Sequence, residues 1–327
     1  MTTTPARPTH PPFDPELEAA LTLVRDVLPG SILPEHIPAM REPNPLLDVT
    51  PEMLRRDGTV EVSERTVPGP DGDPDVTVLV LRPVGIAPGA PLIYHTHGGG
   101  MIIGNRFTGV AGILDWAVES GAVVVSVEYR LAPEHPDPAP VEDCYAGLVW
   151  AHGHAAELGA DPDRILIAGA SAGGGLAAGV ALLARDRKGP PLIGQVLMCP
   201  MLDDRAVTPS STSLEGEGIW DRASNDTGWD ALLGERRGGT DVSVYAAPAR
   251  ATDLSGLPPA FVDVGSVETF RDEDVAYATA LWQAGVQCEL HVWPGGFHGF
   301  DLMAPQAALS QLSVSTRAAW VRRTLAS

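Results

Sequence analysis

Lysine is nearly missing from this 327-residue chain: Lys188 is the single lysine among 22 basic residues, against 42 acidic ones, for a net charge of −20. A surface so poor in positive charge repels phosphate backbones and anionic lipid, which excludes nucleic-acid and membrane-surface binding. Cysteine is scarce too. Cys144, Cys199 and Cys288 are odd in number and far apart, so they supply neither a disulfide framework nor a C-x-x-C metal or redox motif. They are expected as buried, inert thiols in a reducing, cytoplasmic setting. No stretch approaches 18 uninterrupted apolar residues, and the opening MTTTPARPTHPPF has no apolar leader core. Those absences argue against a membrane-spanning helix and a secretory signal. Internal repeats and long low-complexity runs are absent as well.

Glycine and proline are abundant, at 35 and 31 residues, beside 44% hydrophobic residues. That composition suits a globular protein with a large core and many tight turns. Residues 1–12, rich in Pro and Thr, are expected to be disordered. A helical pattern from Pro15 to Val27, with Leu17, Ala20, Leu21 and Val24 on one face, ends at Pro29-Gly30. Residues 31–57 carry scattered apolar side chains between prolines and read as short helices that cannot pack alone. Strand signals begin at Thr59–Thr66 and return at Val76–Leu81 across an Asp71-Gly72 turn.

From Pro91 onward, apolar strands alternate with helices. Strands are expected at Leu92–Thr96, Ala122–Tyr129, Arg164–Ala168 and Ile193–Met198, and helices at Val110–Glu119, Val141–Leu158 and Leu176–Arg187. Such alternation predicts a parallel sheet covered by helices on both faces. It breaks at Met201. Residues 203–250 are polar and Gly-rich, include Trp220 and Trp229, and show no strand pattern, which predicts an insertion of the kind that forms lids. A strand (Ala260–Val264), a helix (Asp272–Ala284), a strand (Gln287–Trp293), a Gly-rich loop and a closing helix (Ala304–Leu325) complete the chain.

Three motifs carry chemistry. The apolar run Ile165–Ala168 stops at Gly169-Ala170-Ser171-Ala172-Gly173, and small helix formers follow. G-x-S-x-G is common by chance, but between a strand and a helix it makes a sharp turn that lifts a serine hydroxyl clear of the sheet edge. Ser171 is therefore the candidate nucleophile. His97-Gly98-Gly99-Gly100 follows a strand, and its consecutive glycines let backbone N–H groups point at one oxygen without Cβ interference. With the N–H of Ala172, Gly98, Gly99 and Gly100 are candidates for an oxyanion hole. His298 lies in a late Gly-rich loop between Phe297 and Phe300 and is the candidate general base. With such an elbow the acid falls between serine and histidine in chain order, which selects Glu268, just past the strand Ala260–Val264. Asp272 is held in reserve, although its place suits the first turn of a helix. His95 and His97 form an H-x-H pair open to a metal reading, but no further clustered ligands accompany them.

These stretches, with Tyr129-Arg130-Leu131-Ala132-Pro133-Glu134-His135-Pro136, Arg271-Asp272-Glu273 and His298-Gly299-Phe300, resemble the hormone-sensitive-lipase-like, or bacterial type IV, carboxylesterases. They run in that family's order from residue 60 to the end. The resemblance implies an α/β-hydrolase fold with a central, mostly parallel eight-stranded sheet and helices on both faces. It also implies a catalytic core (58–202 and 251–327) under a helical cap made of residues 1–57 and the insertion 203–250. Gly99, Gly100 and Ala172 would give the oxyanion hole, Gly98 would shape its turn, and Met101 and Trp220 are candidate substrate contacts. The sequence departs from the family pattern at Ala170, where Asp is frequent, at Glu268, where the acid is usually Asp, and at Asp137, where an aromatic or apolar residue is common.

The expected function is a serine carboxylesterase acting on short- to medium-chain esters through Ser171, His298 and Glu268, with no cofactor and no metal. A homodimer through the sheet edge near Gln287–Trp293 is compatible with the resemblance. Competing readings are the same triad acting on amides, lactones or carbamates, a metallohydrolase, and a non-catalytic ligand-binding protein on the same scaffold. The presence of all three triad candidates weighs against the last.

Overall fold

The computed structural model describes residues 9–24, 29–43 and 49–326. Eight strands, β1 (Val60–Val67), β2 (Val76–Pro83), β3 (Ala90–Thr96), β4 (Val123–Glu128), β5 (Ala160–Ala170), β6 (Gly194–Met198), β7 (Ala260–Gly265) and β8 (Cys288–Trp293), form one sheet in the order β1-β2-β4-β3-β5-β6-β7-β8. β2 is antiparallel to both neighbours, and every pairing from β4 to β8 is parallel. The mostly parallel eight-stranded sheet expected from the sequence is the one observed.

Helices α1 (Pro15–Val24), α2 (Ile37–Met40) and α3 (Pro51–Arg55) precede the sheet, and α4 (Val110–Ser120), α5 (Ala139–Gly153), α6 (Ala155–Leu158) and α7 (Ala172–Asp186) connect its central strands. Between β6 and β7 lie α8 (Pro209–Ser213) and α9 (Arg222–Leu233), and then come α10 (Arg271–Gln283), α11 (Phe300–Met303) and α12 (Ala308–Leu325). Because side chains alternate across a strand, each buried strand feeds two cores. Leu92, Tyr94, Ile165 and Ile167 join the larger one with Leu148 of α5 and Leu176 of α7. Ile93, Leu166, Ala168 and Phe261 join the other with Leu114 of α4 and Trp320 of α12. Strands buried on both faces explain the continuous apolar runs of the sequence.

Several element bounds differ from the sequence reading. α7 starts at Ala172, not Leu176: Gly173, Gly174 and Gly175 are helical and buried because their bare Cα atoms press on the neighbouring main chain. The stretch read as one helix from Val141 to Leu158 breaks at His154 into α5 and α6. The closing helix begins at Ala308, since Pro305 cannot continue the short α11 that precedes it. Residues 25–27 of the first predicted helix and 1–8 of the predicted disordered stretch lie outside the described residues. Within the remainder of that stretch, His10 Nε2 sits 3.0 Å from Glu217 Oε2.

Among the described residues, 203–250 contain no strand, and this segment meets the amino-terminal one. Ser31 Oγ donates to Asp221 Oδ2 (2.6 Å), and the Ile32 N–H donates to Ser224 Oγ (2.8 Å). Asp137, one of the departures from the family pattern, accepts from Arg236 of the same insertion (3.1 Å). Lys188 is exposed just past the carboxyl end of α7. No described helix is long and apolar enough to cross a membrane.

Candidate active site

Ser171 stands at the junction of β5 and α7 with φ 58° and ψ −125°. A non-glycine residue held there stores on the order of 1–3 kcal/mol of strain, so the surroundings must clamp it. Its N–H donates to Met198 O (2.8 Å), and its carbonyl accepts from Gly175 (3.0 Å) and Met201 (2.9 Å). The flanking glycines are sterically required. A Cβ on Gly169 would lie 2.2 Å from Gly173 O, and one on Gly173 would lie 2.1 Å from Thr96 O.

Beside the serine runs the glycine loop that follows β3. A Cβ at Gly98 would sit 2.9 Å from Ala170 O, at Gly99 2.2 Å from Ile103 O, and at Gly100 2.2 Å from Trp220 Cη2. Gly99 and Gly100 also have φ of 116° and 60°, which favour glycine. The loop is braced from below: Tyr129 Oη donates to His97 O (2.8 Å), and its ring stacks on the His97 imidazole at 4.0 Å. His97 Nδ1 donates to Gly98 O (2.8 Å). Burial depresses His97 to about 4 and His95 to about 3, so both stay neutral. His95 holds Ser126 (2.9 Å) and, like His97, belongs to no metal-ligating cluster among the described residues. Arg41, which no local motif announces, ties α2 to this region through Ile102 O (2.8 Å), Ala132 O (2.7 Å) and Glu134 (2.9 Å).

On the other side of Trp220 lies His298, with ring centroids 6.1 Å apart. His298 Nδ1 is 3.0 Å from each oxygen of the buried Glu268 carboxylate. A carboxylate only accepts, so Nδ1 carries the proton and Nε2 keeps a free lone pair. Two devices fix the histidine loop. Asp14 N–H donates to Gly295 O (3.1 Å), while Leu17 and Leu21 of α1 pack on Phe297 and Phe300. Behind the loop, the buried Arg317 of α12 joins Asp301 (2.9 Å) to Asp263 (2.7 Å).

Asp272 faces elsewhere. Its carboxylate takes the Ser210 N–H (2.9 Å) and Arg271 Nε (2.8 Å), and although burial pushes its pKa up, these partners leave it below the ordinary carboxylate value. Met101 is buried in the larger core, with its carbonyl accepting from Ala132 (2.9 Å). Among the described residues no hydrogen bond joins Ser171 Oγ to His298 Nε2; in ligand-free hydrolases this link commonly tightens only when substrate binds.

Two further acids stand behind Glu268; the sequence reading assigns neither a role, although Glu273 belongs to the Arg271-Asp272-Glu273 stretch. Glu273 Oε1 accepts from Leu202 (2.8 Å) and Asp203 (3.1 Å), which anchors the chain leaving β6, and burial raises its pKa. Asp274 is fully buried with both oxygens unpartnered, and burial beside Glu273 and Glu268 raises it too. Cys199, also unforeseen at the site, has its sulfur near Glu268 and His298. Nothing local in Leu197-Met198-Cys199-Pro200 announces it.

Comparison with known proteins agrees with this geometry. The α/β-hydrolase fold family matches residues 93–302. Carboxylesterase NlhH of Mycobacterium tuberculosis is 39% identical over 304 residues, 90% of this chain and 92% of its own. Among solved structures, a bacterial heroin esterase is 43% identical with a TM-score of 0.88, covering 96% of this chain and 98% of its own. A hyperthermophilic esterase of the archaeon Pyrobaculum calidifontis is 30% identical with a TM-score of 0.81, covering 97% and 100%. The chain therefore belongs to the α/β-hydrolase family, in its hormone-sensitive-lipase-like carboxylesterase branch, and is a carboxylic ester hydrolase.

Proposed function

We propose that Ser171 is the nucleophile, His298 its general base and Glu268 the acid that orients the imidazole. The N–H groups of Gly99, Gly100 and Ala172 serve as the oxyanion hole, and Gly98 shapes its turn. His298 Nε2 takes the Ser171 proton as Oγ attacks the ester carbonyl; the tetrahedral oxyanion is held by the three N–H groups; the alcohol leaves with the proton from His298. Water, deprotonated by the same imidazole, then releases the acid from the acyl-enzyme. The Glu268 carboxylate stabilises the imidazolium. The observation that carries this reading is the symmetric 3.0 Å contact of Glu268 with His298 Nδ1, while Asp272 is occupied by Ser210 and Arg271.

The acyl chains are short to medium. Trp220 covers Gly100, and Gly228 of α9 packs so close that an added Cβ would touch Gly100 O at 3.0 Å and the Trp220 ring at 3.4 Å. Trp220 and Met101 border the substrate, and residues 1–57 with 203–250 cap a core of 58–202 and 251–327. β8, an edge strand, suits a homodimer, which sedimentation tests. The free cysteines suit the cytoplasm.

Hydrolysis of p-nitrophenyl esters from acetyl to palmitoyl tests the proposal. Turnover should peak at short chains and vanish in Ser171→Ala. Wild-type rates in that variant would overturn the mechanism. No ester turnover by folded protein would move the substrate to amides, lactones or carbamates.

A further inference from the structure

Cys199 has no part in ester hydrolysis, yet it stands against two members of the triad. It directly follows β6, holds φ 36° in the left-handed region, and donates its N–H to the Asp263 carbonyl (2.7 Å). A non-glycine residue keeps such a conformation only where its surroundings over-determine it, so the main chain presents this thiol from a fixed place. Its sulfur, a Glu268 oxygen and a ring nitrogen of His298 all lie within 4.8 Å of one another, the one such His, Cys, Asp or Glu group of three found among the described residues.

Thiolate, imidazole and carboxylate are the donors of tetrahedral zinc sites that keep a fourth position open. Donors bonded to a common tetrahedral zinc stand about 3.3–3.8 Å apart. The three groups therefore need to draw in by roughly 1 Å from their outer separation, which Cys and Glu side-chain torsions can supply. Charge works in the same direction. Asp263, Asp274 and Asp301 act on the Cys199 sulfur together with Glu268. Arg317 balances Asp263 and Asp301, but the buried Asp274 has no partner on either oxygen. A divalent cation arriving here meets the Glu268 carboxylate, while Asp274, whose pKa burial raises, adds unpartnered oxygens rather than a fixed charge.

We infer that Cys199, Glu268 and His298 form an inhibitory site for a borderline-soft divalent cation, of which Zn²⁺ is the representative. The inference rests on the triad proposed above. The metal bonds the Cys199 sulfur, whose proton leaves to solvent, and takes the Nδ1 lone pair. The imidazole proton is thereby displaced to Nε2 by way of solvent. A protonated Nε2 cannot accept the proton of Ser171, and Glu268 holds the metal where it had oriented the ring.

The test titrates Zn²⁺ into the full chain by calorimetry, in parallel with p-nitrophenyl acetate turnover, and repeats the binding with Co²⁺ under absorbance. Zn²⁺ should bind one per chain, stop turnover and release it on addition of EDTA, and the Co²⁺ form should show thiolate-to-metal charge-transfer absorption. Cys199→Ser, measured against its own metal-free rate, should weaken binding and inhibition by more than about tenfold, because a bonded ligand weighs at least as much as the outer partners that cost that much. Cys288→Ser should titrate like the unaltered protein. Absence of the charge-transfer band, or a Cys199→Ser titration that overlays the unaltered one, overturns the site. The Co²⁺ spectrum needs no variant, so it decides even where Cys199→Ser fails to fold. Ser171→Ala separates the two readings: if it still turns over ester, the triad fails, whereas a dead Ser171→Ala beside a parent that binds no metal sinks the zinc site alone.

Discussion

The two flanks of Ser171 are built on opposite principles. The oxyanion flank, from β3 through the glycine loop, is made of main chain; its nearest titratable groups, His95 and His97, are neutral, and its fit depends on missing side chains. The acid flank, from β6 through β7 to the His298 loop, gathers Glu268, Glu273, Asp274 and Asp263 in a small buried volume with Arg317 as counterweight. One flank is specified by what cannot be placed there, the other by buried carboxyl groups that distant segments must hold in place. The first is local and stiff; the second is sensitive to its neighbours.

Ser171→Ala removes the atom that both flanks serve, and kcat/KM should fall by about 10⁵-fold or more with the fold intact by circular dichroism. On the acid flank, Glu268→Gln should lower kcat by about 10³–10⁴-fold, whereas Asp272→Asn stays within about threefold; equal losses in the two would remove the distinction between them. On the oxyanion flank, Gly99→Ala drives a methyl toward Ile103 O and should lower kcat by about 10²–10³-fold with a smaller change in KM. Between the flanks, Trp220→Ala should raise the ratio of long-chain to short-chain turnover by roughly tenfold, the scale of a few methylenes in an apolar pocket.

The smallest effect concerns stability, where the flanks should respond to pH with opposite sign. His95 and His97 are depressed below their ordinary 6.5, so their contribution is complete above that pH and drains away as pH falls through about 4 and 3. Glu273 and Asp274 are raised, so theirs is complete below the ordinary carboxylate range and declines as pH climbs through their folded values. Asp274→Asn should therefore gain about 1 kcal/mol, or roughly 2–4 °C in Tm, at pH 8 and less at pH 5. A uniform gain across pH would show that Asp274 is not held protonated.

The same contrast decides what the sequence revealed. The elbow, the glycine loop and the strand order are local or periodic, and glycine requirements leave a mark wherever they occur. Glu268 and Asp272 could not be separated by spacing alone, because Ser210, whose N–H occupies Asp272, comes from α8, far away in the chain. α7 reads too short in the sequence because the low helix propensity of its glycine run gives way to close packing against Met201 and Pro200. Cys199 and Arg41 left no mark, as each acquires its role only from segments far along the chain.

The position of Lys188 has a practical side. It is the chain's single ε-amine, exposed beyond the far end of a 15-residue helix whose first residue follows Ser171, a run of about 22 Å. Covalent coupling through that amine fastens every copy of the molecule to a solid support by the same point, at the end of α7 away from Ser171.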